Sequence, residues 1–257
     1  MEYLLKKEGE FEYIEEGSGP PLMLLHGLFG ALSNWYSVLK TFREQYTVLI
    51  PILPIYRSVQ IKPTLEDITD YIERFIEHKG LQGYATLGNS LGGHLAQLLA
   101  LRRPEHTQVM ILTGSSGLFE AGMGSTFPRR GDYDYIRERV EFTFYAPQTA
   151  TPELVQEVYE IVNDRHLAIR VIQLARGAQR MNMKSQLGNL RMPTCLIWGL
   201  NDTITPVRVA HEFHRSIPQS ELFFIDHCGH APMMEQPDRF NRLLADFLST
   251  HYLTACA

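Results

Sequence analysis

The sequence predicts an α/β fold: a mostly parallel central sheet with helices on both faces and an inserted helical lid. Three observations carry this reading. Short apolar runs alternate with helical periods up to Leu112, and the alternation resumes at Thr194. Between them, from about Leu118 to Ser185, there are helical patterns and loops but no convincing strand. Finally, the residues that carry chemistry fall directly after predicted strands, at the carboxyl edge where sites in α/β sheets form. The expected division is a core of residues 1–117 and 186–257, with the lid at 118–185.

Glu10 to Glu15 alternates apolar and polar residues and reads as an edge strand. Gly17-Ser-Gly-Pro-Pro21 is a turn. Leu22-Met-Leu-Leu25 suits a buried parallel strand and runs into the glycine-rich loop His26-Gly27-Leu28-Phe29-Gly30. Tyr46-Thr-Val-Leu-Ile50 is the next strand. Thr64 and Asp67 make a capping-box start for a helix with Leu65, Ile68, Ile72, Phe75 and Ile76 inward. A strand at Tyr84-Ala-Thr-Leu87, a helix from Gly93 to Leu101 and a strand at Val109-Met-Ile-Leu112 follow. In the insertion, Tyr135 to Tyr145 is amphipathic, and Thr151-Pro152-Glu153 is an N-cap, an N1 proline and an acidic first turn. Leu167, Val171, Leu174, Ala178 and Met181 share a helical face. Thr194-Cys-Leu-Ile-Trp198 and Glu221-Leu-Phe-Phe-Ile225 are the last strands. Thr205-Pro206 and Pro237 each open a helix.

A length of 257 residues is ample for one large core, and 44% apolar with 21% charged residues is ordinary for a globular chain. The net charge of -5 and the lack of a lysine–arginine cluster argue against a nucleic-acid partner. No apolar run reaches the length of a membrane span, and the first residues show no long apolar leader core. The three cysteines, Cys195, Cys228 and Cys256, have no metal or redox spacing and suit a reducing cytoplasm. The expected partner is a small-molecule substrate.

Gly88-Asn89-Ser90-Leu91-Gly92 sits between a strand and a helix. Glycines two places before and after a serine in that setting form the nucleophile-elbow pattern. The glycines let backbone approach the turn, and the helix N-terminus directs free N–H groups toward the serine. A serine hydroxyl needs a base, and the base needs an orienting acid. The candidate base is His230 in Asp226-His-Cys-Gly-His230, with His227 as its rival. The candidate acid is Asp202 in Trp198-Gly-Leu-Asn-Asp202, with Asp226 as its rival.

In the order Ser90, Asp202, His230, the chain resembles the α/β-hydrolase superfamily over nearly its whole length. His26-Gly27-x-x-Gly30, Gly88-Asn89-Ser90-Leu91-Gly92-Gly93, Trp198-Gly199-x-x-Asp202, and Gly229-His230 followed by Glu235-x-Pro237 all fall in the expected order. The resemblance implies a serine hydrolase with no metal or cofactor. It implies an oxyanion hole from the backbone N–H of Leu91 and of Leu28, or else of Phe29. His26 reads as a brace for its loop.

Two departures stand out. The usual Asp-x-Pro-Gly-x-Gly is replaced by Pro51-Ile-Leu-Pro54-Ile-Tyr-Arg-Ser58. Asn89 before the nucleophile resembles the carbon–carbon bond hydrolases of meta-cleavage products, yet the tryptophan those enzymes carry after Gly-His is missing from Ala231-Pro-Met-Met. The favoured reading is cleavage of an ester of a small to medium apolar acyl group. Carbon–carbon hydrolysis of a diketo acid is the alternative, and a ligand-binding receptor with a slow triad is the reading from another class. Candidate substrate contacts are Phe29, Asn89, Phe119, Phe142, Arg165 and Arg170. Phe127, Phe144 and Tyr145 are further candidates for an apolar pocket. Arg176, Arg180 and Lys184 are expected on a solvated outer face.

Overall fold

A computed structural model describes residues 4–30, 32–56, 63–121 and 129–252. The strands are β1 (Lys6–Glu8), β2 (Phe11–Glu16), β3 (Pro21–Leu25), β4 (Thr47–Pro51), β5 (Tyr84–Asn89), β6 (Thr107–Thr113), β7 (Thr194–Gly199) and β8 (Ser220–Ile225). They form one eight-stranded sheet in the order β1-β2-β4-β3-β5-β6-β7-β8. From β4 through β8 neighbours run parallel; only β1 with β2 and β2 with β4 are antiparallel. The reading of Glu10–Glu15 as the edge is corrected here, because β1 lies outside it and β2 is paired on both sides. A three-residue strand of sequence Lys-Lys-Glu has no apolar pattern to reveal it. Its charges suit an edge that must not recruit another strand.

Around the sheet lie α1 (Tyr36–Phe42), α2 (Leu65–His78), α3 (Leu91–Arg102), α7 (Val207–Ser216), α8 (Pro232–Glu235) and α9 (Pro237–His251). Successive side chains of a strand point to opposite faces, and β3 shows the result. Met23 and Leu25 join a core with Ile72 and Phe75 of α2, Leu95 of α3 and Phe213 of α7. Leu22 and Leu24 join a second core with Val38 of α1 and Phe240, Leu244 and Leu248 of α9. Two covered faces explain why β5 and β7 are buried along their whole length.

The segment between β6 and β7 contains α4 (Tyr133–Glu141), α5 (Pro152–Asn163) and α6 (Arg165–Arg180), and no strand among its described residues. Ile136 and Val140 of α4 pack with Val155, Val158 and Val162 of α5 in a small core of their own. Leu174 and Ala178 of α6 instead join the main core beside α2 and α3. Phe127, Arg57, Ser58 and Cys256 lie outside the described residues.

Thr64 caps α2 as the sequence predicts. Its hydroxyl accepts from Asp67 N–H at 3.1 Å, and the Asp67 carboxylate accepts from Thr64 N–H at 2.8 Å. Thr64→Ala removes one half of this exchange. The expected cost is about 1 kcal/mol, read as a lower midpoint in thermal or urea unfolding; an unchanged midpoint would refute the capping role.

Candidate active site

Ser90 follows the last residue of β5 and precedes the first of α3. Its φ of +55° is a left-handed conformation that a side chain rarely adopts. The flanking glycines make the turn possible. A Cβ on Gly88 would strike the Gly92 carbonyl, and one on Gly92 would strike the Leu25 carbonyl. Leu91 is the first residue of α3, so its N–H has no partner within the helix. Asn89 donates both amide hydrogens to carbonyls, to Thr113 at 2.9 Å and to His230 at 3.1 Å. It thereby ties β5 to β6 and to the histidine loop.

The His26 loop is fixed by its own histidine. Leu53 N–H donates to His26 Nε2 at 3.2 Å, which leaves the ring proton on Nδ1. Nδ1 then donates to the Gly27 carbonyl at 2.9 Å, and Gly30 N–H reaches the same carbonyl at 3.1 Å. In a trans peptide the N–H points away from the C=O. Pinning the Gly27 carbonyl therefore fixes the direction of the Leu28 N–H. Burial pushes the His26 ring below its ordinary pKa, so it stays neutral in this brace. The atypical stretch after β4 is what His26 grips: Leu53 bonds its ring, and the Tyr56 hydroxyl donates to the Leu28 carbonyl.

Asp202 and His230 lie in the loops after β7 and β8. His230 Nδ1 is 3.0 Å from Asp202 Oδ2. Asp202 Oδ1 accepts from Ile204 N–H at 2.8 Å and Thr205 N–H at 2.9 Å, and Oδ2 also accepts from Thr205 Oγ1 at 2.7 Å. Gly199 allows the loops to meet, since a Cβ there would strike the carbonyls of Gly229 and Cys228. Burial pulls the His230 pKa down, but the charge and hydrogen bond of Asp202, with the charges of Glu120 and Glu235, outweigh it and hold the ring above its usual value. The rival pair sits elsewhere: the side chains of His227 and Asp226 are 66% and 57% exposed, 3.4 Å from one another.

Ser90 and His230 border a common cavity of about 180 Å³, reached also by Gly27, Leu28, Phe29 and Asn89. Its walls are largely apolar, among them Val140 and Phe144, Leu154 and Val158 of α5, and Val171 and Ile172 of α6. Among the proposed contacts, Phe29 and Asn89 reach it. Phe119, Phe142, Arg165 and Arg170 are not on its wall. Phe119 is 42% exposed with the Arg208 guanidinium over its ring, and Phe142 is 48% exposed. Tyr145 is likewise on the outside, whereas Phe144 lines the cavity. Arg170 donates instead to the Tyr56 carbonyl at 2.6 Å.

Three charged residues on the wall escaped the sequence reading. Arg176 was expected on a solvated face; it is exposed but at the cavity rim. Arg139 of α4 borders the cavity with a buried Nε that has no hydrogen-bond partner. Glu120 borders it too, accepts from Ser116 Oγ at 2.7 Å, and is pushed by burial above the usual carboxylate range. Its place shortly beyond the end of β6, at the carboxyl edge, was the available signal.

Comparison with known proteins gives the class. The profile of the alpha/beta hydrolase fold matches residues 20–144 and 173–237, so the chain belongs to that family. It is 40% identical to MGS-MChE2, an alpha/beta hydrolase enzyme from the metagenome of sediments of the Mar Chica lagoon, Morocco, with 96% of this chain and 98% of that one covered and a TM-score of 0.80. It is 26% identical over 258 residues to a 2-hydroxy-6-oxo-6-phenylhexa-2,4-dienoate hydrolase of Comamonas testosteroni, covering 92% of this chain and 90% of that protein. It is also 26% identical over 246 residues to a pimeloyl-[acyl-carrier protein] methyl ester esterase of Nitrosomonas europaea, covering 87% and 94%. The chain is accordingly a hydrolase. No helix among the described residues is long and apolar enough to cross a membrane.

Proposed function

We propose that the chain is a serine hydrolase that cleaves an ester of a small to medium apolar acyl group through an acyl-enzyme, in the cytoplasm. One observation carries the reading. Ser90, held at φ +55° at a strand–helix turn, opens onto the same largely apolar cavity as His230, whose Nδ1 is 3.0 Å from Asp202. With Nδ1 bonded to the carboxylate, Nε2 is the basic nitrogen. It takes the Ser90 proton as Oγ attacks the carbonyl carbon, and returns it to the departing alkoxide. Water, activated by the same nitrogen, then releases the acid. The N–H groups of Leu28 and Leu91 hold the oxyanion. The helices α4 to α6 serve as the lid, since α5 and α6 supply much of the apolar wall.

A fluorophosphonate is expected to label Ser90 and spare Ser115 and Ser116. The latter two are buried, with hydroxyls engaged by Gln97, the Ser116 carbonyl and Glu120. Labelling that persists in Ser90→Ala would refute the nucleophile.

A second reading has its own observation. Arg139 and Arg176 on the cavity wall suit a carboxylate-bearing diketone, as in carbon–carbon hydrolysis. Against it, the Asn89 amide hydrogens are already spent on two carbonyls, and Ala231 and Met234 line the wall after His230 without a tryptophan. Ester cleavage also asks for less, because a single proton from His230 releases the alkoxide. The contest is decided by wild type and Arg139→Met assayed on an acyl-chain series of esters and on a vinylogous diketo acid. Faster turnover of short esters, little changed by the substitution, is expected. Faster turnover of the diketo acid, with a KM that rises in Arg139→Met, would overturn the ester reading. Tight ligand binding with negligible turnover on either series would favour a receptor.

A further inference from the structure

Glu235 begins the Glu-x-Pro stretch of the sequence pattern, and neither the triad nor the cavity wall uses it. It ends α8, shortly beyond His230, and its side chain folds back. Oε1 accepts from Gly229 N–H at 2.8 Å, directly before His230. Oε2 accepts from Tyr145 N–H at 2.7 Å and from Ala146 N–H at 3.4 Å, in the segment leaving α4. One carboxylate thus joins the histidine loop to the helical insertion.

Two further bonds run along the same seam. His230 N–H donates to the Thr143 carbonyl at 3.0 Å. From the loop that carries Asp202, Thr203 Oγ1 donates to the Phe142 carbonyl at 3.2 Å. The seam closes only because residue 229 is glycine. A Cβ there would lie 2.8 Å from Tyr145 N and 2.9 Å from Thr143 O. A carboxylate suits the place because both its oxygens accept. An amide would turn its NH2 toward one of the backbone donors.

We infer that Glu235 is a positioning residue: it clamps the His230 loop to residues 143–146 and so fixes where the imidazole stands relative to Ser90. The helical insertion is then coupled to the base itself, and not merely laid over the cavity. The kinetic consequence rests on the serine-hydrolase reading; the geometric one does not.

The test is Glu235→Gln, which keeps size and removes the second acceptor. Two readouts are taken on the full chain. In steady state, kcat on the best ester of the acyl-chain series is expected to fall about tenfold or more, with KM within about twofold, because the lost contact orients the base and does not bind substrate. In one-dimensional proton NMR, the low-field resonance of the His230 Nδ1 proton, assigned by its loss in His230→Ala, is expected to broaden or vanish. An unchanged resonance together with unchanged kcat would overturn the inference, as would a rise in KM alone. If Glu235→Gln proves unstable, Gly229→Ala opens the same seam and is read by the same two measurements. If wild type cleaves no ester, the resonance alone decides, so a failed functional reading is distinguished from a failed clamp.

Discussion

His230→Ala is expected to lower turnover by about three decades or more, with KM and the unfolding midpoint little changed. The ring is buried and makes its side-chain contacts with Asp202 and Thr205, in the seam and not in the apolar core. Its removal therefore takes away the proposed proton acceptor without opening the main core. His227→Ala is the internal control. That ring lies at the surface against Tyr145, and its loss is expected to leave turnover near wild type. A larger effect from His227→Ala would mean that the wrong histidine has been assigned. The pH profile adds a second check. Only the neutral ring is a base, and Asp202, Glu120 and Glu235 hold its pKa above the ordinary histidine value despite burial. The acid limb of kcat/KM should therefore fall above pH about 6.5. Stability runs the other way. A pKa raised by folding adds stability that is fully present below the unfolded value and fades as pH rises through the folded one.

The elbow was legible in the sequence because local backbone rules dictate it, whereas the choice of Asp202 and His230 as candidate acid and base rested on their places after strands and on the resemblance in motif order. Gly88 and Gly92 have to be glycine wherever a serine stands on that turn, and Asp202 and His230 follow strands whose apolar runs are unmistakable. The cavity wall was legible only in part: Phe29, Asn89 and Phe144 reach it, but most of its lining was not foreseen. Which face of a helix meets the cavity depends on how the insertion docks, and no local period records that. Phe119 and Phe142 look like pocket residues by composition but lie exposed. Arg170 flanks the apolar stripe of α6, yet it is drawn to the Tyr56 carbonyl of a loop more than a hundred positions earlier in the chain. Arg139 and Arg176 look like ordinary surface charges on amphipathic helices until α4 and α6 are set beside the cavity. The role of His26 could be named as a brace, but its grip on Leu53 depends on a loop that departs from the usual pattern.

Asp202→Asn is expected to cost about two to three decades in kcat/KM, somewhat less than loss of the base, with folding intact. The surroundings decide how the introduced amide would sit. Oδ1 of Asp202 receives two backbone N–H groups, from Ile204 and Thr205, so the amide oxygen of the variant has to stay in that place. The flipped amide would set its NH2 against those donors, a buried clash of like groups. Its NH2 therefore replaces Oδ2, facing the Thr205 hydroxyl and His230 Nδ1. The hydroxyl adapts, because it accepts as readily as it donates. The imidazole adapts only by moving its proton to Nε2 so that Nδ1 can accept. Nε2 then has no lone pair for the Ser90 proton, and the imidazolium loses its counter-charge. Fluorophosphonate labelling of Ser90 should slow in parallel with turnover, while the urea midpoint stays close to wild type. Labelling and turnover that both remain within about tenfold of wild type would show that Asp202 is not the acid that orients this histidine.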